Sequence, residues 1–159
     1  SSACLIYIHI IKEKHIVMNR VAISEIVRYL LILLFAYTAA SKMLTYPLFV
    51  VQIGLSPILP AFTQEVAWVV PLVEFLVALM LAVPGTRIIG FYSSWVLMLS
   101  FTLYVAAILT IASHVPCSCG GVLEALSWEQ HLVFNFTFLA LNTLVLIWHY
   151  RNPRMISIT

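Results

Sequence analysis

Four stretches of about twenty mostly apolar residues, each closed by charge, proline or glycine, dominate the sequence. A helix rises about 1.5 Å per residue, so about 20 apolar residues cross the roughly 30 Å of a bilayer's hydrocarbon. The pattern predicts spans over residues 21–43, 66–83, 88–113 and 128–149. Glu25 and Arg28 stand three apart in the first turns of the first span, where they can reach the interface or pair with each other. The second span contains Pro71 and Glu74 and stops at Pro84-Gly85, and the fourth ends before Arg151, Asn152, Pro153 and Arg154. Tyr29, Trp68, Trp128, Trp148 and Tyr150 lie near span ends, as interfacial aromatic belts require. Residues 46–62 are apolar but broken by Pro47, Gly54, Pro57 and Pro60. Each internal proline costs a helix about 3 kcal/mol, and irregular backbone cannot face lipid. This loop therefore predicts a short interfacial helix around residues 48–55, either a plain connector or a lid. The fold class is an all-α integral membrane protein, a four-transmembrane-helix bundle with that short interfacial helix in its first external loop.

Composition excludes the other broad classes. Of 159 residues, 63% are hydrophobic and 9% charged, with a mean hydropathy of +1.06; soluble domains carry about 25% charged residues. With 8 Lys+Arg against 6 Asp+Glu and a net charge of +2, there is no basic face for nucleic acid and no acidic tail. The chain is too apolar to remain solvated and disordered.

Cations fix the expected orientation, because Lys and Arg are retained on the cytoplasmic side. Lys12, Lys14, Arg20 and Arg28 flank the first span, Arg87 lies in the second loop, and Arg151 and Arg154 follow the last span, leaving only Lys42 on the other side. Both termini are thus expected in the cytoplasm of a bacterial inner-membrane protein, with residues 44–65 and 114–127 outside. Residues 1–20 read as a cytoplasmic segment, 21–150 as the transmembrane domain and 151–159 as a cytoplasmic tail. The apolar start is interrupted by Lys12, Glu13, Lys14 and His15, is too short to span and lacks a signal-peptide cleavage pattern. Met18-Asn19-Arg20 looks like an ordinary translation start, so residues 1–17 read equally as native chain or as an extension.

The segment with chemistry in it is His114-Val115-Pro116-Cys117-Ser118-Cys119-Gly120-Gly121. In an oxidising periplasm, two thiols one residue apart can close a disulfide. Such a ring must bend the backbone to bring the Cα atoms within about 4.4–6.8 Å. Gly120 and Gly121 supply backbone freedom and Pro116 fixes the entry. Strain favours exchange over a permanent staple, and so small a loop removes little unfolded-chain entropy. The leading reading of Cys117 and Cys119 is a redox-active dithiol/disulfide. A zinc or copper(I) site, in which His114 or His131 joins both cysteines, and inert thiols in a turn are the alternatives. Protonated His114 would lower a neighbouring thiolate's pKa, and it reads equally as an ordinary interfacial histidine. Cys4, on the opposite side, is no resolving partner.

A carboxylate inside a span costs about 2.5–3.5 kcal/mol, so Glu74 should face the interior and hold a proton or meet a cation. Lys42 is the only cation at that end. Counted inward from Glu65, however, Glu74 is about nine residues, or roughly 13 Å, deep. Direct pairing requires Lys42 to reach inward or the second helix to start later. The pair reads as proton handling beside a redox centre or as a polar lock between helices. His131, Asn135 and Asn142 share the fourth span, with Asn135 one turn from His131. They are suited to hydrogen-bond a neighbouring helix, the cysteine loop or a quinone carbonyl, the first being the usual role. His9, His15 and His149 read as interfacial or solvated, and Met80, Met98, Phe91, Trp95 and Phe101 as core or lipid-facing.

Ala40-Ser41-Lys42 closing the first span, Phe49 and Gln52 after it, Pro71-Leu72-Val73-Glu74 in the second, and Cys117-Ser118-Cys119-Gly120-Gly121 before a fourth span containing Asn135 form an ordered set. In order and spacing it resembles the MauE/DoxX-like redox-associated membrane proteins, four-helix bacterial membrane proteins, over about residues 18–151. The resemblance implies a thiol–disulfide role beside thioredoxin-like or other periplasmic proteins with cysteines. DoxX/DoxD relatives are linked instead to sulfur-compound oxidation with quinone, and Cys-x-Cys favours the MauE side. The pair departs from the Cys-x-x-Cys of the larger VKOR and DsbB-like enzymes, and no second external cysteine pair is present. A single pair relays electrons only if a partner or a bound cofactor takes them onward. The expected function is a membrane thiol–disulfide oxidoreductase or relay acting through Cys117 and Cys119, with His114, Lys42, Glu74, His131 and Asn135 in support. The alternative is a non-catalytic four-helix subunit that assembles with another membrane protein, with or without a metal at the cysteine loop.

Overall fold

The computed structural model describes residues 2–56, 60–111 and 127–152, with side chains at 16–56, 60–110, 127 and 129–152. Five α-helices carry the fold: α1 (Ser2–Leu44), α2 (Tyr46–Gly54), α3 (Thr63–Ala82), α4 (Arg87–Ile111) and α5 (Trp128–Arg151). No strand occurs among the described residues. Four of the helices are long and apolar enough to cross a membrane, and the protein is a multi-pass membrane protein.

Helix α1 is unbroken from Ser2, nineteen residues before the start of the predicted span, so Lys12-Glu13-Lys14 is helical as well. No proline or glycine interrupts the chain before Pro47, and Lys and Glu are good helix formers. Pro47 sits in the first turn of α2, where its missing N–H costs nothing. The α3–α4 hairpin turns on Pro84-Gly85-Thr86, and the Thr86 hydroxyl donates to the Met80 carbonyl at 2.9 Å. Its arms then approach so closely that a Cβ on Gly90 would lie 2.8 Å from the Leu81 nitrogen. At the start of α5, the Ser127 side chain accepts from the Gln130 N–H and the Gln130 side chain accepts from the Ser127 N–H, a reciprocal cap.

The spans form a closed ring: α1 packs on α3, α3 on α4, α4 on α5, and α5 returns to α1. Val27, Leu31, Phe35, Val77, Leu81, Phe91, Met98 and Val145 fill its centre. The outer surface is equally apolar, with Leu33, Leu72, Phe75, Val96, Leu103, Val133 and Phe136 all exposed. A surface of this kind is stable against hydrocarbon, not water. Polar side chains tie α4 to α5: the Asn142 amide donates to Ser94 Oγ at 2.7 Å and to the Phe91 carbonyl at 3.2 Å, and Trp95 Nε1 donates to Thr143 Oγ1 at 2.9 Å.

Helix α2 packs on the first half of α3, burying Phe49 and Ile53 against Ala67. It occupies the height on α3 that α1, already ended at Leu44, does not reach. Tyr104 of α4 donates to Ser56 Oγ just beyond α2 at 2.9 Å. Its packing on α3, with the Tyr104–Ser56 bond fastening the chain just beyond its end, makes α2 part of the bundle wall.

Candidate functional site

Lys42 and Glu74 form the polar centre of the fold. The ammonium donates to both carboxylate oxygens of Glu74, at 2.8 and 3.1 Å. The Glu74 side chain is 1% exposed and that of Lys42 16%. The discrepancy in depth counted along the sequence is resolved by side-chain direction. Every Cα–Cβ bond in a helix tilts toward that helix's N-terminus. In the antiparallel α1 and α3, Lys42 leans down the bundle and Glu74 leans up toward it, so residues at different heights meet. The early end of α1 also leaves Lys42 below the start of α3.

The pair lies on the wall of a cavity of about 270 Å³. Thr38 and Tyr37 of α1, Phe49 and Ile53 of α2, Val66 and Val70 of α3, Phe101 and Tyr104 of α4, and His131, Phe134 and Asn135 of α5 also line it. The ammonium lies 5.8 Å from the Phe49 ring centroid and 5.9 Å from that of Phe101, two aromatic faces that favour a cation. Asn135 is 4% exposed, and its Nδ2 has no hydrogen-bond partner among the described residues. The capped first turn of α5 sets His131 on the same wall.

Of the site residues expected from sequence, the structure therefore brings Lys42, Glu74, His131 and Asn135 to one cavity. His114, Pro116, Cys117, Cys119, Gly120 and Gly121 lie outside the described residues, and with them the disulfide and the metal alternative. Among the described residues, no cluster of His, Cys, Asp and Glu could hold a metal ion. Asn142 stands apart from the cavity and binds α4, the interhelical role. The sequence did not single out Thr38, Val70 or Tyr104, which carry no charge and look like ordinary span residues. Phe101, read as core or lipid-facing, is a cavity wall beside the cation.

The opposite end of the bundle holds a second group of charges. Arg28, buried, donates to the Leu81 carbonyl at 3.2 Å and pairs with Glu25. Arg20 stands over the Trp148 ring at 5.7 Å, joining α1 to α5 there. Arg87 is buried at the first residue of α4, with Nε and Nη1 unpartnered among the described residues.

The model of one protein family, described as Methylamine utilisation protein MauE, matches residues 20–149, which include every helix-borne residue of the site. No curated protein and no solved structure matches the chain. The chain belongs to the MauE family.

Proposed function

With membership of that family as the premise, we propose that this membrane protein is a thiol–disulfide relay whose working groups are Cys117 and Cys119. The family description names methylamine utilisation, and the partner would be a cysteine-bearing or thioredoxin-like protein of that process. In one direction a partner thiolate attacks the Cys117–Cys119 bridge, a mixed disulfide forms, and the partner's second thiolate displaces the cysteine. The partner leaves with a disulfide and Cys117 and Cys119 are left as thiols. The reverse exchange reduces a partner by the same steps. His114 would lower a thiolate's pKa. The cation count supports a bacterial inner-membrane location, cytoplasmic termini and a periplasmic cysteine segment.

The observation that carries this reading is a juxtaposition in the chain. The sequence holding both cysteines links the end of α4 to the start of α5, and those two helices bring Tyr104, His131 and Asn135 to the Lys42–Glu74 cavity. A cysteine pair in the sequence between two helices that both line a buried polar cavity supports redox chemistry over a purely structural subunit. Single Cys117→Ser and Cys119→Ser variants test it. One should trap a mixed disulfide with the partner, and the double variant should lose function at normal membrane levels. Full function in the double variant would leave the subunit reading in its place. Thiol reagents that cannot cross the membrane should label the reduced pair from the periplasmic side.

A further inference from the structure

The cavity beside the Lys42–Glu74 pair is itself a ligand site by its chemistry. Asn135 Nδ2 is buried without an acceptor among the described residues, Lys42 brings an ammonium, and the carboxylate of Glu74 is already engaged by that ammonium. A ligand that completes the site must bring an acceptor oxygen. Lys42 and Glu74 offset each other in charge, so nothing on the wall calls for an ion. Phe49, Phe101 and Phe134 present flat apolar faces. An apolar cavity of about 150 Å³ accepts benzene; one of about 270 Å³ takes a substituted ring, and a whole phospholipid does not fit. Tyr37, which lines the cavity, is 42% exposed on the side of α1. One edge of the cavity thus reaches the lateral surface, which faces hydrocarbon and gives access to molecules dissolved in the bilayer.

We propose that this cavity binds the headgroup of a lipid-soluble quinone, with Asn135 Nδ2 donating to a ring carbonyl. The inference rests on the relay reading for its purpose. A quinone, when bound, supplies the acceptor for the two electrons and two protons released as the Cys117/Cys119 dithiol becomes a disulfide. Asn135 orients the ring, the Lys42–Glu74 pair holds a charge-neutral polar floor beside it, and the phenylalanines exclude water.

Titration of decylubiquinone into the full-length protein in lipid nanodiscs, followed by quenching of tyrosine and tryptophan fluorescence, tests the site. Saturable quenching is expected, beyond the partitioning seen with empty nanodiscs. Asn135→Leu, which keeps the volume and removes the donor, should weaken it about tenfold, the loss of about one buried hydrogen bond. Val70→Phe, which narrows the cavity without touching a polar group, should abolish it, and melting of each variant reports whether it is folded. Quenching that does not saturate, equal affinity in both folded variants, or displacement by added phosphatidylglycerol would overturn the inference, the last by marking a phospholipid site. Binding should survive the Cys117→Ser/Cys119→Ser change. Trapped mixed disulfide without quinone binding sinks this inference and leaves the relay; quinone binding with full function in the double serine variant does the reverse.

Discussion

Glu74 is tolerable at 1% exposure because Lys42 meets it, and the energetics of such pairs are lopsided. Removing one partner leaves an uncompensated buried charge, whereas removing both costs little. Lys42→Met should therefore destabilise the protein by about 3 kcal/mol, and Lys42→Met/Glu74→Leu should recover most of that loss in thermal melting. Additive losses in that cycle would show that the two do not act as a pair. Asn142→Leu removes two interhelical hydrogen bonds and should cost about 1 kcal/mol by the same measurement, since hydrogen bonds between membrane helices are individually modest. At this scale the sequence was informative wherever a residue was expensive. A carboxylate within a span, a lone cation near one end and three polar side chains on the fourth span all stand out. The contact between Lys42 and Glu74 was not legible from residue counts, since a count along the axis omits the opposite lean of side chains on antiparallel helices. Arg87 was expected as a loop flank, and its burial follows from the tight α3–α4 turn that draws the first turn of α4 against α3.

Gly90 shows how strongly two elements can depend on a missing side chain. A Cβ there would lie 2.8 Å from the Leu81 nitrogen and 3.0 Å from Leu81 Cγ, while one on Gly85 would meet nothing within 4 Å. Gly90→Ala should cost about 1–3 kcal/mol, because α4 must move away from α3, and Gly85→Ala should be close to neutral. Denaturation of the two variants side by side checks the contrast. The existence of the four spans was legible in the sequence because span length is dictated by bilayer thickness. Their ends differ by a few residues, and α1 begins well before its predicted span since nothing breaks the helix there. The short helix after α1 was anticipated from its prolines, but its role in the wall was not. That role depends on α1 ending below the top of α3, a relation between elements that no local pattern encodes.

For the whole molecule, the order of helices around the ring was beyond sequence reading. A soluble helix betrays its buried face by apolar periodicity, but here the core side and the lipid side are both apolar and the signal vanishes. The exceptions, Asn142 and the Lys42–Glu74 pair, are the polar side chains that mark true contacts. The connectivity also predicts sidedness. In a cysteine-free background, Gly54→Cys and Ser127→Cys should react with an impermeant thiol reagent from one face, and Gly85→Cys from the other; labelling of all three from one face would break the four-span arrangement. The ion pair has one further consequence. Along α3, Glu74 lies roughly 16 Å from Thr63, about half the thickness of a bilayer's hydrocarbon. Dissolved salt screens charges only where its ions can approach, within about 10 Å at 0.1 M. The attraction at the middle of the bundle is thus insulated from the ionic strength of the medium on either side, and the stability it contributes should stay constant through an about tenfold change in buffer salt.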